Sequence, residues 1–340
     1  KSISFVSTPS PLDAFACGSA STTSTFFSNV AREAARLIVV VVLPTPPFWL
    51  ASAIIFPISC QKLFGKVTYF MRDTGGLNLF SYICKRNKAN FMNIKRPLIL
   101  DGYHAKGINC LVDMLRDMAD IVVCAPESAR SGFATAFSAT VPLRLKLRRK
   151  EEGFEMWSCN GTPVDCVKIA LEEFFADRRP DMVIGGINHG DNGSVNVHYS
   201  GTMGVTLEGC MKYIPSVGFS LCDHRDDADF TPLRPYVRQI VSKVLAEGLP
   251  KGVCLNVNFP KVSEFKGVKM CRMAMGTWYN ECVKMRHPHG YDYYWMTGDY
   301  RNDEPEATDT DNWALTHGYV AVTPTRIDVT DYETLKNFEL

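Results

Sequence analysis

Three oxygen-bearing side chains in this sequence follow three apolar runs. Asp101 comes directly after "RPLIL" (96–100), Ser131 lies in the "ESARSG" that follows "DIVVCAP" (120–126), and Asn188 follows "DMVIGGI" (181–187). A carboxylate, a hydroxyl and an amide carbonyl, without sulfur or clustered imidazole, suit Mg²⁺, Mn²⁺ or Ca²⁺ better than zinc. Downstream, Ser200-Gly201-Thr202 leads into the helix-like "MGVTLEGCMKYI". Free amides and a hydroxyl at a helix N-terminus, with a glycine allowing close approach, form a seat for an anion. A divalent cation beside such a seat is the apparatus of phosphoester hydrolysis, because it polarises the phosphoryl oxygen and activates a bound water. His189 and His198 lie in the same loop and could donate to a leaving group. His287 and His289 flank Pro288 too tightly to share a metal.

Every one of these residues also has a plain structural reading. Asp101-Gly102 is a turn pair, Ser131-Gly132 is uninformative, Asn188 can satisfy loop backbone, and Ser200 can be an N-cap. Convergence gives them weight. In an open α/β sheet, ligands bind beyond the carboxyl ends of the strands. The long "NHGDNGSVNVHYSGT" loop, rich in Gly and Asn, belongs at that edge and has little to bury.

The elements that must carry these residues alternate. "PSVGFSL" (215–221) and "GVCLNVNF" (252–259) join the three runs above as buried strands. Between them lie helical patterns such as "INCLVDMLRDM". In "TPVDCVKIALEEFF", Val164, Val167, Leu171 and Phe174 form a stripe, with Thr162 as N-cap, Pro163 at the first position and Asp165 closing a capping box. A further helix at about 233–247 stops before Gly248-Leu249-Pro250. Alternation of this kind predicts an α/β protein with a mostly parallel sheet and helices on both faces. Residues 141–158 read as a hairpin, and the aromatic pieces after 260 read as a small antiparallel appendage.

A chain of 340 residues holds one large domain or two ordinary ones, and a net charge of +1 offers no basic face for nucleic acid. The 12 cysteines never form a C-x-x-C pair, which removes zinc spacing and points to buried, reduced thiols in a cytoplasm. Residues 1–91 differ from the rest: they are rich in Ser, Thr, Pro and Phe, and Leu37–Ile58 carries no charge over 22 residues. That length would span a bilayer, but Pro44, Pro46 and Pro47 interrupt it. The choices are a membrane anchor, an export signal, or an appended stretch with no part in the fold, since Met92 opens a sequence that looks complete. The third is the expectation.

"DGYHAKGIN", "VVCAPESARSG", "NGTPVDCVKIAL", "PDMVIGGINHGDN", "HYSGTMGVTLEG", "PSVGFSL" and "LNVNFP" resemble, in order and spacing, the SurE (survival protein E) family, from about residue 94 to the C-terminus. The resemblance implies a Rossmann-like core (92–260), a β-rich arm (261–340) exchanged between subunits, and a homodimer or homotetramer in the cytoplasm. It implies a 5'-nucleotidase that releases phosphate from nucleoside monophosphates with Mg²⁺ or Mn²⁺. Ser131 and Asn188 match its metal-binding serine and asparagine, Asn192 falls near the phosphate, and Ser200, Gly201 and Thr202 match its phosphate element. The family pattern is Asn-Asp-Asp-Gly where this chain has only Asp101-Gly102. Asp101 matches the second aspartate, so metal binding and catalysis are expected of Asp101, with Asn192 beside it. The first aspartate is missing, which opens an alternative: a catalytically impaired, nucleotide-binding oligomeric scaffold.

Overall fold

Successive side chains of the buried strands enter two different hydrophobic clusters. In β2 (Asp120–Pro126), Ile121, Val123 and Ala125 join one, whereas Val122 and Cys124 pack into the other. In β5 (Met182–His189), Met182 and Ile184 face the first and Val183 the second. Apolar residues on both sides of a period-two element demand a sheet covered on both faces. The computed structural model, which describes residues 36–40, 102–128, 130 and 132–339, has that sheet.

Its other strands are β1 (Arg36–Val40), β3 (Leu145–Glu151), β4 (Phe154–Cys159), β6 (Ser216–Leu221), β7 (Val253–Phe259), β8 (Val268–Met270) and β13 (Val320–Arg326). The order is β3-β4-β2-β1-β5-β6-β7-β13-β8. The run from β4 to β7 is parallel throughout. β3 joins antiparallel at one edge and forms the hairpin expected over 141–158. Helices α1 (Lys106–Leu115) and α4 (Arg234–Glu247) cover one face through Ile108, Leu111, Leu115, Val237, Val241 and Val244. On the other face, α2 (Pro163–Glu173) and α3 (Gly201–Met211) contribute Val167, Ala170 and Val205. The start of α2 is the expected capping box: Asp165 N–H donates to Thr162 Oγ1 at 3.1 Å, and Thr162 N–H donates to Asp165 Oδ2 at 2.7 Å. Such a cap contributes about 1 kcal/mol.

Two expectations change. The first ninety-odd residues were expected to stay outside the fold, yet Arg36–Val40 pairs in parallel with β2 on one side and β5 on the other. Leu37-Ile38-Val39-Val40 is an apolar, largely β-branched run, the composition common in central parallel strands. The strand expected at 96–100 lies outside the described residues, as do residues 41–58 of the uncharged run. Among the described residues, no helix is long and apolar enough to cross a membrane.

The C-terminal arm is also smaller than 261–340. β13 returns to the main sheet antiparallel to β7, and β8 adds beside it. Only β9 (Gly276–Tyr279) with β12 (Asp299–Asn302), and β10 (Cys282–Arg286) with β11 (Asp292–Met296), form separate two-stranded ribbons. The short helices α5 (Asp311–Thr316) and α6 (Tyr332–Asn337) flank β13. Alternation in Val320-Ala321-Val322 suits a sheet as well as an appendage, and long-range pairing decides between them.

Candidate active site

The end of β5 is built to be approached closely. In the register, Gly185 of β5 stands beside Gly218 of β6. A Cβ on Gly185 would meet Thr202 O at 2.7 Å, and one on Gly218 would meet Thr206 Oγ1 at 2.8 Å. This double notch lets the first turn of α3 lie directly on the two strands. Gly204 in that turn rests on Ala134 O, where a Cβ would come within 1.9 Å, so the loop after β2 touches α3 backbone to backbone. On the other side of the sheet, Gly107 in the first turn of α1 rests on Ile187 O, which a Cβ would approach to 2.0 Å. Three chain segments therefore pack backbone to backbone near the end of β5: α1 on Ile187, α3 on Gly185, and the loop after β2 on Gly204 of α3.

Asn188 ends in a row of polar residues. It pairs in register with Ser220 of β6, which pairs with Asn258 of β7. All three are buried, with Asn188 only 1% exposed. Its Nδ2 donates to Gly190 O at 2.9 Å and to Asn192 Oδ1 at 3.5 Å. Asn192 sits across the row: its N–H donates to Asn258 Oδ1 at 2.7 Å, its Nδ2 to Ser220 Oγ at 2.6 Å, and its carbonyl accepts from Asn256 Nδ2 at 2.7 Å. Buried polar groups satisfied this fully rigidify a loop. Asn256 and Asn258 were missed as site residues, although "LNVNF" signals them by placing two asparagines two apart on one face of a strand.

The α3 N-terminus lies next to this row. Ser200 is the N-cap, its Oγ accepting from Met203 N–H at 3.1 Å. Thr202 is 1% exposed and its Oγ1 has no hydrogen-bond partner. An unpaired buried hydroxyl costs stability unless something else occupies it. Together with the helix-end N–H groups it fits an oxyanion.

The two loop histidines differ in their surroundings. His189 is buried against the edge of the Phe230 ring, 4.8 Å between centroids, and neither ring nitrogen has a partner. Burial, reinforced by Lys106, pushes its imidazole down to about 4, so it is the neutral ring, with one N–H, in the ordinary pH range. His198 is exposed. Asp101 and Ser131 lie outside the described residues.

Among the described residues, no group of three or more His, Cys, Asp or Glu could hold a metal. The side-chain oxygens described at this edge are the neutral ones of Asn188, Asn192, Ser200, Thr202 and Ser220. That chemistry fits a hard cation completed by a carboxylate, and it does not fit zinc or copper.

The family description "Survival protein SurE" matches residues 100–280, which spans every loop just described. The chain belongs to the SurE family. A protein of Phocaeicola vulgatus named 5'-nucleotidase SurE is 55% identical over 256 residues, covering 73% of this chain and 99% of that protein. One of the same name from Bacteroides thetaiotaomicron is 52% identical over 245 residues, covering 71% and 94%. The crystal structure of the SurE protein from Aquifex aeolicus matches with a TM-score of 0.60 at 34% identity, over 70% of this chain and 95% of that one.

Proposed function

We propose that this chain is a metal-dependent 5'-nucleotidase that hydrolyses nucleoside monophosphates to nucleoside and phosphate. The observation that carries the reading is the close backbone packing near the end of β5 of the segments that follow Asp101 and Ser131 and that contain Thr202: α1 on Ile187, α3 on Gly185, and the loop after β2 on Gly204 of α3. Relatives at up to 55% identity named as 5'-nucleotidases support it.

Asn188 Oδ1, Asp101 and Ser131 would hold one Mg²⁺ or Mn²⁺. When bound, that ion supplies polarisation of the phosphoryl oxygen and a water nucleophilic near neutral pH. The rest falls to the chain. Asn192, with its main chain and amide held by Asn256, Asn258 and Ser220, fixes the loop beside Asn188 and acts by positioning. The Ser200 hydroxyl accepts from Met203 N–H and keeps its own hydrogen to donate to phosphate. Thr202 Oγ1 and the N–H groups at Gly201 and Thr202 complete the seat.

Further features support the surrounding expectations. All nine cysteines of the described region are free, as in a reducing cytoplasm. The ribbon β10–β11 exposes Val283, Met285, Tyr294 and Met296, apolar surface that suits packing against a second copy in a homodimer or homotetramer.

Phosphate release from a nucleoside monophosphate, measured with and without Mg²⁺ or Mn²⁺, tests the proposal. Metal-stimulated release that disappears in Asn188→Ala is expected. Equal rates in the two proteins would remove the site assignment, and calorimetric binding of nucleotide without release in excess metal would favour the scaffold.

A further inference from the structure

We infer that Asp311, working with Tyr300, is a positioning residue for this reaction: a clamp from the C-terminal part of the chain on the active-site loop. The inference rests on the nucleotidase reading for its consequence, but its geometry stands alone.

The loop between β5 and α3 carries Asn192 and leads to Ser200, and it turns at Ser194. That residue adopts φ 52°, a left-handed conformation that a serine takes up only when its surroundings hold it there. The hold comes from more than a hundred residues away in sequence. Asp311, the first residue of α5, is fully buried. Its Oδ2 accepts Ser194 N–H at 2.8 Å, and its Oδ1 accepts Ala274 N–H at 2.9 Å and Asn312 N–H at 2.8 Å. Ser194 Oγ donates to Ala274 O at 2.8 Å and accepts from the Tyr300 hydroxyl at 2.6 Å. Asn312 Nδ2 in turn donates to Tyr300 Oη at 2.6 Å. A second tie runs alongside, with Trp278 Nε1 donating to Asn196 Oδ1 at 3.0 Å and Asn196 Nδ2 donating to Asp191 Oδ1 at 3.1 Å.

The chemistry explains why a carboxylate is there. One buried anion gathers three backbone N–H groups from three places: the active-site loop, the entry to β9, and α5 itself. Charge-assisted bonds of this kind are about twice as strong as neutral ones. No other residue type of this size offers two acceptor oxygens and no donor. None of these groups lies among the proposed metal or phosphate contacts, so the clamp acts on substrate only through the loop. Ribbon β9–β12, which supplies Trp278 and Tyr300, thereby governs the geometry of a site to which it contributes no ligand.

The test pairs hydrogen exchange with kinetics in the full chain. In Tyr300→Phe, which removes one oxygen and leaves the fold intact, backbone exchange across 191–199 is expected to quicken about tenfold, the usual consequence of one lost bond. Exchange in α4 should stay unchanged. At saturating Mn²⁺, kcat for a nucleoside monophosphate should fall about tenfold with little change in KM, since misplacement costs rate more than ground-state binding. Asp311→Asn, which turns an amide donor toward an N–H, should be worse on both counts. Unchanged exchange in Tyr300→Phe, or faster exchange with unaltered kcat, overturns the inference. Should the unaltered chain release no phosphate at all, the nucleotidase reading fails, while the exchange data still decide whether the clamp exists.

Discussion

Asn188 and Asn258 occupy one row of the sheet, two strands apart with only Ser220 between them, and Asn192 bridges the row from above. The proposed metal-binding amide and the loop beside it are therefore seated on the same three strands.

Asn258→Ala should uncouple that loop. The Asn192 N–H would lose its acceptor while buried, a defect worth about 1–3 kcal/mol. Chemical denaturation should register the lost stability, and phosphate release should fall further than the folded fraction does. A variant with lower stability but full specific activity would show that the row is scaffolding alone.

Gly185→Ala probes the notch under α3. The new Cβ would lie 2.7 Å from Thr202 O and 3.0 Å from Thr206 Oγ1, so the phosphate-seat turn must move. Overpacking of this kind costs about 1–3 kcal/mol. KM for the phosphoester should rise, because the seat shifts relative to Asn188. An unchanged KM would separate the α3 N-terminus from phosphate binding.

Thr202→Val separates function from stability by sign. It removes a buried hydroxyl that has no partner, so the melting temperature should hold or rise slightly. Inhibition by inorganic phosphate should weaken, because the anion loses a donor. If phosphate inhibits both proteins equally, Thr202 does not contact it.

Asp223 supplies a pH prediction. Burial raises its carboxyl, but the hydrogen bonds of Arg225 and the nearby Lys261 outweigh that and hold it at about 2, against an ordinary 3.8. Arg225 approaches to 2.7 Å and Lys261 to 3.2 Å, with the Asp223 side chain only 5% exposed. A carboxyl depressed in the fold adds stability above its unfolded value, and that stability is lost as pH falls from 3.8 to about 2. The stabilisation is on the order of 2 kcal/mol. Denaturation curves of the unaltered protein and Asp223→Asn should therefore differ at neutral pH and converge in acid. Parallel curves across that window would contradict the assignment.

Local rules carried the reading far where one segment contained the whole cause. The α2 capping box, the β2 and β6 runs and the stop at Gly248 depend on neighbouring residues, and the structure has them all. The positions of Asn188 near a strand end and of Ser200 and Thr202 at a helix start were legible for the same reason. What could not be read were partnerships across the chain. Arg36–Val40 looked foreign because nothing nearby says which strands it lies between. β13 looked like part of an arm until it paired with β7. Asn258 and Asp311 reach Asn192 and Ser194 over 66 and 117 residues, a distance at which only the folded sheet brings donor to acceptor. Periodicity and capping are short-range and leave marks in sequence, whereas hydrogen bonds between remote segments exist only once the core has closed around them.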